Sequence, residues 1–193
     1  IVLGFGSILQ NFWWAIVLLV ALAVYQFRRM LADTEKRFAW DGRVLEMRWV
    51  GDLVGKMETA RLTRTLGTLL TNGVPLLSAL SIAQNVITNT VLRREVNDAA
   101  REVKTGGGLA RNLAKGGHFP RLALQMIGVG EETGQLDGML MKVSDRYDIE
   151  VRNTIDRLLS VFTPVVTLLL AVLIGTIVMS VLVAILGIND LVG

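Results

Sequence analysis

The sequence contains no cysteine and a single histidine, His118, among its 193 residues. Disulfide bonds and thiolate metal sites are therefore excluded, and a zinc site built from several histidines is excluded too. Charge is also missing from two long stretches. No Asp, Glu, Lys or Arg occurs between Ile1 and Phe27, and none occurs between Leu158 and Asn189. What remains is a chain in which 52% of the residues are hydrophobic.

Both uncharged stretches are long enough to cross a bilayer. A span needs roughly 20 apolar residues to cover about 30 Å of hydrocarbon, whereas a soluble helix is usually apolar along one stripe only. Residues 8–27 and the stretch from Val161 to Leu186 are apolar on every face. A soluble domain of this size could not bury both. The sequence therefore predicts an all-α membrane protein, with two transmembrane helices flanking a cytoplasmic bundle of about six helices.

The basic residues indicate the orientation, because Lys and Arg near the ends of a span stay on the cytoplasmic side. The two ends of the chain contain no basic residue. Four bases follow the first span and four precede the second: Arg28, Arg29, Lys36, Arg37, Lys142, Arg146, Arg152 and Arg157. We therefore predict a multi-pass protein of the bacterial inner membrane with both termini in the periplasm. We attribute the net charge of +3 largely to basic residues beside the membrane, where they attract anionic lipid. Nucleic acid is not an expected partner.

These features predict six segments along the chain. They are a periplasmic stub (1–7), a transmembrane helix (8–27), a juxtamembrane linker (28–55), a cytoplasmic helical bundle (56–157), a transmembrane helix continuous with the last bundle helix (158–188) and a periplasmic tail (189–193). The first span lacks a starting Met and a cleavage pattern, so we interpret it as an internal span of a longer protein. The linker residues Trp40 and Trp49 either sit at the lipid headgroups or pack on the domain.

Apolar residues at helical spacing predict the helices of the bundle. The first begins near Lys56 and ends at Asn72 and Gly73, and Pro75 opens the second. Asn89 is the predicted N-cap of a third helix, which stops at the glycines 106–108. The expected inward-facing residues of these helices are Leu62, Leu66, Leu69, Leu70, Leu76, Leu80, Ala83, Ile87, Leu92, Val96, Ala99 and Val103.

Three further helices complete the predicted bundle. A short fourth helix carries Leu109 and Leu113, and Phe119-Pro120 opens a fifth that runs through Leu122, Met126 and Ile127 to a break around Gly130 and Gly134. The sixth begins near Gln135. Neither Pro nor Gly interrupts it between Leu140 and Thr163, which predicts one helix from the bundle into the second span.

Few residues suggest chemistry. His118 has no adjacent nucleophile and is expected to be solvated in its loop. Glu131, Glu132 and Asp137 could hold a hard cation such as calcium, or they could simply be charges at helix ends. No set of nucleophile, base and orienting group is apparent. We therefore expect neither an enzyme nor a cofactor site.

Three segments together resemble one known family. They are RLTRTLGTLLTNGVPLLSAL (61–80), Phe119-Pro120, and MIGVGEETGQL (126–136). In this order they are similar to the type II secretion system protein F family, which includes the inner-membrane platform proteins of type IV pili. The resemblance extends from the first span to the Asn-Asp-Leu-Val tail. Arg48 departs from the Pro that related linkers commonly carry there.

The resemblance implies a protein with two related cytoplasmic helical domains and three spans, of which this chain holds the second domain and the last two spans. It implies a non-catalytic scaffold that links a cytoplasmic assembly ATPase to pseudopilins or pilins. Other inner-membrane secretion components, membrane lipid and further copies of the chain are the other expected partners. The residues expected to form structural or partner-binding motifs are Gly73, Pro75, Leu76, Phe119, Pro120, Gly130, Glu131, Thr133, Gly134 and Leu136.

An energy-transducing channel component of the stator type is the alternative. The hydroxyls of Thr163, Thr167 and Thr176 in the second span could line a proton path. The absence of intramembrane acids counts against it, because proton relays usually contain ionisable residues.

Overall fold

The computed structural model describes residues 34–189 together with Leu18 and Leu22, and it describes side chains as far as Leu182. The described part is all-helical, with no strand, which confirms the all-α part of the prediction. Its helices are α1 (Thr34–Glu46), α2 (Val50–Thr71), α3 (Leu76–Ala83), a 3-10 turn (Gln84–Val86), α4 (Thr90–Lys104), α5 (Leu109–Leu113), α6 (Arg121–Thr133) and α7 (Leu136–Asn189). The predicted first span lies outside the described residues, apart from the two leucines.

The chain divides into two compact units, one ending at Tyr147 and the other beginning at Asp148. The first unit has an aliphatic core drawn from α2 to the first turns of α7. Full burial of one such side chain stabilises the fold by about 1.5–3 kcal/mol. The largest core side chains are Leu62, Leu66, Leu80, Ile87, Leu92, Leu109, Leu113, Ile127 and Leu140. Each of these residues was named above as part of one predicted bundle helix.

The α2–α3 connection is a tight helix-ending turn. Gly73 has a φ of +79°, and its N–H donates to the carbonyl of Leu70, while the N–H of Val74 donates to that of Leu69. This pair of bonds is the Schellman motif, which satisfies the last carbonyls of a helix and requires a left-handed residue. Pro75 then precedes α3 directly, where the missing N–H costs no helical hydrogen bond.

Apolar residues recur only weakly at helical spacing in the predicted juxtamembrane linker (28–55), yet its described part is helical. Residues Thr34–Glu46 form α1, and α2 begins at Val50, six residues before the predicted start at Lys56. The pattern is weak because α1 contributes no fully buried residue. Its contact with the core comes from half-buried side chains such as Leu45.

Helix α6 buries Ala123 and Ile127, whereas Leu122 is 44% exposed. The end of the helix differs from the prediction. Gly130 was expected to break the helix, yet α6 continues to Thr133 and only Gly134, with a φ of +68°, ends it. Gly130 is needed for close packing, since a Cβ there would lie 2.9 Å from the Cβ of Met139 and 3.0 Å from the Cα of Leu136.

Helix α7 runs from Leu136 to Asn189 with Pro164 inside it, so the prediction of a single long last helix is confirmed. Within the described residues it is the one helix long and apolar enough to cross a membrane, and none of its most apolar stretch is buried. Proline in a helix removes one backbone hydrogen bond. Thr167 donates its hydroxyl to the carbonyl of Thr163, one residue before Pro164.

Near its start, α7 packs closely against α2 at a glycine. A Cβ on Gly67 would lie 2.9 Å from the sulfur of Met141 and 3.2 Å from its backbone nitrogen. Such distances are shorter than van der Waals contact, so a larger residue at position 67 would displace the Met141 side chain and press on the backbone of α7. Glycine therefore allows the close approach of the two helices here.

The two glycines 73 and 138 allow a matched test of the turn. A Cβ would meet nothing within 4 Å at either position, but only Gly73 has a positive φ. Gly73→Ala should lower the free energy of unfolding by about 1–2 kcal/mol, because alanine is strained in the left-handed region. Gly138→Ala in α7 should raise it by about 0.5–1 kcal/mol. Chemical unfolding of the detergent-solubilised chain, followed by circular dichroism, measures both, and equal effects would contradict the assigned turn.

Candidate functional site: the helix junctions of the bundle

A buried carboxylate lies where α2 meets the link before α4. The side chain of Glu58 is 2% exposed. Both of its oxygens accept from the N–H of Thr88 at 3.1 Å, and Oε1 also accepts from the N–H of Asn89 at 3.3 Å. These amides belong to an extended link and have no helical partner there. A buried charge is tolerated when hydrogen bonds satisfy it, and Glu58 meets that condition. We call Asp41, Glu58, Thr88, Asn89 and Thr90 the α4 junction.

The start of α4 is capped twice. The side-chain oxygen of Asn89 accepts from the N–H groups of Val91 and Leu92 at 3.0 and 3.2 Å, which is the predicted N-cap. Asp41 of α1 accepts from the N–H of Thr90 at 2.8 Å and from its hydroxyl at 2.7 Å. A carboxylate is favoured at this end because the helix dipole is positive there. Asp41 therefore connects α1 to α4.

Arginines surround the same link. Arg37 donates to the carbonyl of Thr88 at 3.3 Å, Arg61 donates to its hydroxyl at 3.2 Å, and Arg93 donates to the carbonyl of Ile87 at 3.0 Å. An open depression of about 680 Å³ lies beside them, with the half-buried Trp40 in its lining. Both carboxylates at its edge already accept backbone N–H groups. The geometry is that of a structural junction between α1, α2 and α4.

The sequence analysis did not single out Glu58 or Asp41. A signal for Glu58 was present: it precedes Leu62 and Leu66 by four and eight residues, so it lies on the buried stripe of α2. A charged residue on such a stripe is almost never fully buried without a partner. Asp41 left no comparable signal, because its partner follows 49 residues later in the chain.

A second junction joins α5, α6 and α7 and contains several of the predicted motif residues. Glu131 on α6 accepts from the N–H groups of Leu109 and Ala110 at 2.5 and 2.9 Å, so it caps the five-residue α5. Gly130 lies against α7, and Gly134 ends α6. Leu136 packs on the core as α7 begins. Thr133 is exposed, and its hydroxyl donates to the carbonyl of Val129 at 2.7 Å.

Glu131, Glu132 and Asp137, which the sequence suggested as a possible calcium site, have different surroundings in the structure. Glu131 uses its carboxylate for α5, as described, while Glu132 is exposed and Asp137 lies in the first turn of α7. Within residues 34–189, no three His, Cys, Asp or Glu side chains are grouped so that they could hold a metal ion. The remaining predicted motif residues lie elsewhere. Phe119 is buried, Pro120 precedes α6, and Leu76 begins α3 half-buried.

His118 is not the solvated side chain that its loop suggested. Its Nδ1 lies 2.5 Å from Oε1 of Glu95 on α4. The other oxygen of Glu95 is buried without a hydrogen-bond partner, and the carboxylate rests over Gly116, where a Cβ would collide with it. Burial raises the pKa of Glu95 above its ordinary value, the hydrogen bond and charge of His118 lower it in part, and the charge of Asp98 raises it.

The fold and these junctions define a class: an all-helical protein in which carboxylates on one helix accept backbone N–H groups of the next element, and whose last helix contains an apolar segment of membrane-spanning length. A family model described as "Type II secretion system (T2SS), protein F" matches residues 62–184. The chain belongs to this family. The family name and the apolar helix together indicate an inner-membrane protein.

Relatives with two kinds of name match the chain. The "Type II secretion system protein F" of Xanthomonas campestris pv. campestris is 45% identical over 192 residues, which cover 100% of this chain and 47% of that protein. The protein of the same name from Pseudomonas aeruginosa is 37% identical over 94% of this chain and 45% of its own length. The "Type IV pilus assembly protein PilC" of Pseudomonas aeruginosa is 32% identical over 100% of this chain and 52% of its own length. The chain thus spans about half the length of the curated relatives it matches.

Removal of the Glu58 carboxylate should destabilise the bundle. Glu58→Ala leaves two amides of the link without their acceptor, and we expect the free energy of unfolding to fall by about 2–4 kcal/mol. Glu132→Ala is the control, because Glu132 is also a glutamate in a helix but is exposed; it should change stability by less than about 0.5 kcal/mol. Denaturant unfolding measures both, and similar values would refute the role of Glu58.

Glu95 should make stability depend on pH in a known direction. Because folding raises its pKa above 4.5, the protonated form stabilises the fold fully below that pH, and this contribution is lost as the pH rises through the folded pKa. Glu95→Gln resembles the protonated form at every pH. Its stability relative to the unmodified chain should therefore increase from pH 4.5 upward in thermal unfolding, whereas Glu132→Gln should show no such trend. A difference that is constant with pH would contradict the raised pKa.

Proposed function

We propose that the chain is part of a non-catalytic inner-membrane platform of a type II secretion or type IV pilus machine, which couples a cytoplasmic assembly ATPase to the assembly of pseudopilins or pilins. The supporting observation is the family match over residues 62–184, together with relatives named for both kinds of machine. The carboxylates of Glu58 and Glu131 accept backbone N–H groups, which agrees with a scaffold. We also propose that other inner-membrane components and further copies of the chain are partners.

The proposed topology places the bundle in the cytoplasm between two spans, with the segment boundaries predicted above. Its support is the position of the bases. They follow the first uncharged stretch and precede the second, whereas the residues at the two ends of the chain include none. In this topology the charged start of α7 remains in the cytoplasm, and the uncharged stretch from Leu158 enters the bilayer.

We propose that the bundle transmits a mechanical input from the ATPase to the membrane through α7, and we assign the predicted motif residues to this path. Gly73, Pro75 and Leu76 fix the α2–α3 hairpin, Phe119 and Pro120 fix the start of α6, and the residues from Gly130 to Leu136 set how α7 leaves α6. The close contact of Gly130 with Met139 and the cap from Glu131 to α5 support this assignment. A displacement of α5 or α6 would then be transmitted to α7.

The proposed output element is α7. The same helix contributes Leu140, Val143 and Tyr147 to the buried interior of the bundle and continues through the apolar residues after Leu158. Helices transmit displacement well because each residue is hydrogen-bonded to the next turn. A change in the bundle that moves the first turns of α7 would therefore reach the membrane segment without an intervening loop.

Two substitutions at Thr154 in the full-length protein test this mechanism. Thr154 is exposed, and its hydroxyl donates to the carbonyl of Glu150. Thr154→Pro interrupts α7 at a cost of about 3 kcal/mol, and it should abolish secretion or piliation, whereas Thr154→Ala should preserve it. The assay is complementation of a deletion strain, with membrane fractionation to confirm that both variants are inserted at equal levels.

Crosslinking to the assembly ATPase in the same strains separates input from output. The crosslink should form with both variants, because the bundle that receives the input is intact. Full secretion by an inserted Thr154→Pro variant would eliminate α7 as the output element. Failure of the unmodified protein to crosslink would eliminate the coupling to the ATPase.

A further inference from the structure

The turn between α1 and α2 is the most exposed apolar point of the bundle. Trp49 is 87% exposed, and Met47 and Val50 beside it are 50% and 46% exposed. We call these residues, together with Arg48, the Trp49 turn. Single exposed apolar side chains are ordinary on protein surfaces. Three of them within one four-residue turn are unusual. One is a tryptophan, whose large apolar area would stabilise a contact in which it became buried.

Close packing between the ends of α1 and α2 fixes the conformation of the Trp49 turn. Gly51 is buried, and a Cβ there would collide with the carbonyl of Leu45 at the end of α1. The N–H of Gly51 donates to the carbonyl of Met47 at 2.7 Å, and Leu45 packs against the core. The two helices therefore meet too closely for the tip residues to fold inward. The other tryptophan of this region behaves differently, since Trp40 lies half-buried in the depression beside the α4 junction.

We propose that the Trp49 turn inserts into the headgroup region of the bilayer and holds the bundle against the membrane surface. Tryptophan prefers the membrane interface, where its ring is buried and its N–H stays among polar groups. The exposed Arg43 and Arg48 attract anionic lipid. Of the nearby acids, Glu46 lies between them, and Asp52 is paired with Lys56 at 2.8 Å. This inference rests on the proposed membrane topology.

The length of the chain permits this placement. Six residues, 28–33, separate the predicted first span from α1, and they can extend to about 20 Å. Helix α1 has 13 residues and is about 20 Å long. The Trp49 turn can therefore reach the bilayer surface at which the first span ends, provided that α1 runs along the membrane. In that arrangement the first span and the turn would hold both ends of α1.

The absence of cysteine from the chain allows a site-specific test in vesicles. Trp49→Cys carries an environment-sensitive NBD label, and the chain is reconstituted in phosphatidylcholine–phosphatidylglycerol vesicles. Asn72→Cys is the matched control, because it is also exposed and lies in a turn at the other end of α2, about 33 Å away. Leu168→Cys in the apolar part of α7 reports insertion itself.

A label at position 49 should be quenched by lipid with a nitroxide near the headgroup more than by lipid with a nitroxide deep in the acyl chain, and it should be shielded from iodide. The label at 72 should be quenched by iodide only. Lipid quenching at 168 but none at 49 would overturn the Trp49 proposal and leave the platform proposal intact. Shielding at 49 that disappears on protein dilution, without lipid quenching, would assign the turn to a second copy and overturn the proposal as well. An absence of lipid quenching at both 49 and 168 would refute the membrane topology too.

Discussion

The arrangement of the bundle depends on the carboxylate of Glu58 and the two backbone amides that it satisfies. Between the 3-10 turn and α4 the chain is extended, with ψ near +124° at both Ile87 and Asn89. An extended link inside a helical protein has no neighbouring strand to accept its N–H groups, and buried amides without acceptors are costly. Glu58 supplies the acceptor from α2. The position of α4 relative to α2 follows from it, and Asp41 then places α1 on the same link.

The second junction repeats this solution at a different pair of helices. Glu131 reaches from α6 to the first N–H groups of α5. A helix of five residues cannot persist alone, because the cost of nucleation exceeds what so few hydrogen bonds return. In both cases a long helix provides a carboxylate, and the segment that receives it is too short or too extended to satisfy its own backbone. Electrostatic attraction to the positive helix end strengthens the bond at α5. Apolar packing forms the core, while these carboxylate bonds determine which elements lie next to each other.

The sequence predicted most of the fold because local signals and burial coincide there. The stripes of α2, α3 and α4 face the core as expected, Asn89 caps α4, and Gly73 and Gly134 end helices. Helix α1 was missed because its residues are only half-buried, which leaves a faint period. Gly130 was expected at the break of α6 because glycine disfavours helices, whereas its place there is required by the close contact with Met139 and Leu136. The partners of Glu58, Asp41 and His118 lie 23 to 49 residues away in the chain, and no local pattern encodes such pairs.

The close contact between Gly67 and Met141 has a consequence for how α7 is aligned. Where two helices are separated by bulky side chains, rotamer changes and repacking absorb small shifts. At Gly67 a hydrogen atom occupies the place of a side chain, so the sulfur of Met141 rests almost on the backbone of α2. Backbone atoms cannot change rotamer. The backbones of α2 and α7 therefore come close at this level, and the flexible group between them is the thioether of Met141. A side chain added at position 67 would meet this thioether first, at 2.9 Å, and the Met141 nitrogen next, at 3.2 Å. The alignment of α7 on α2 consequently depends on how far one methionine side chain can move aside.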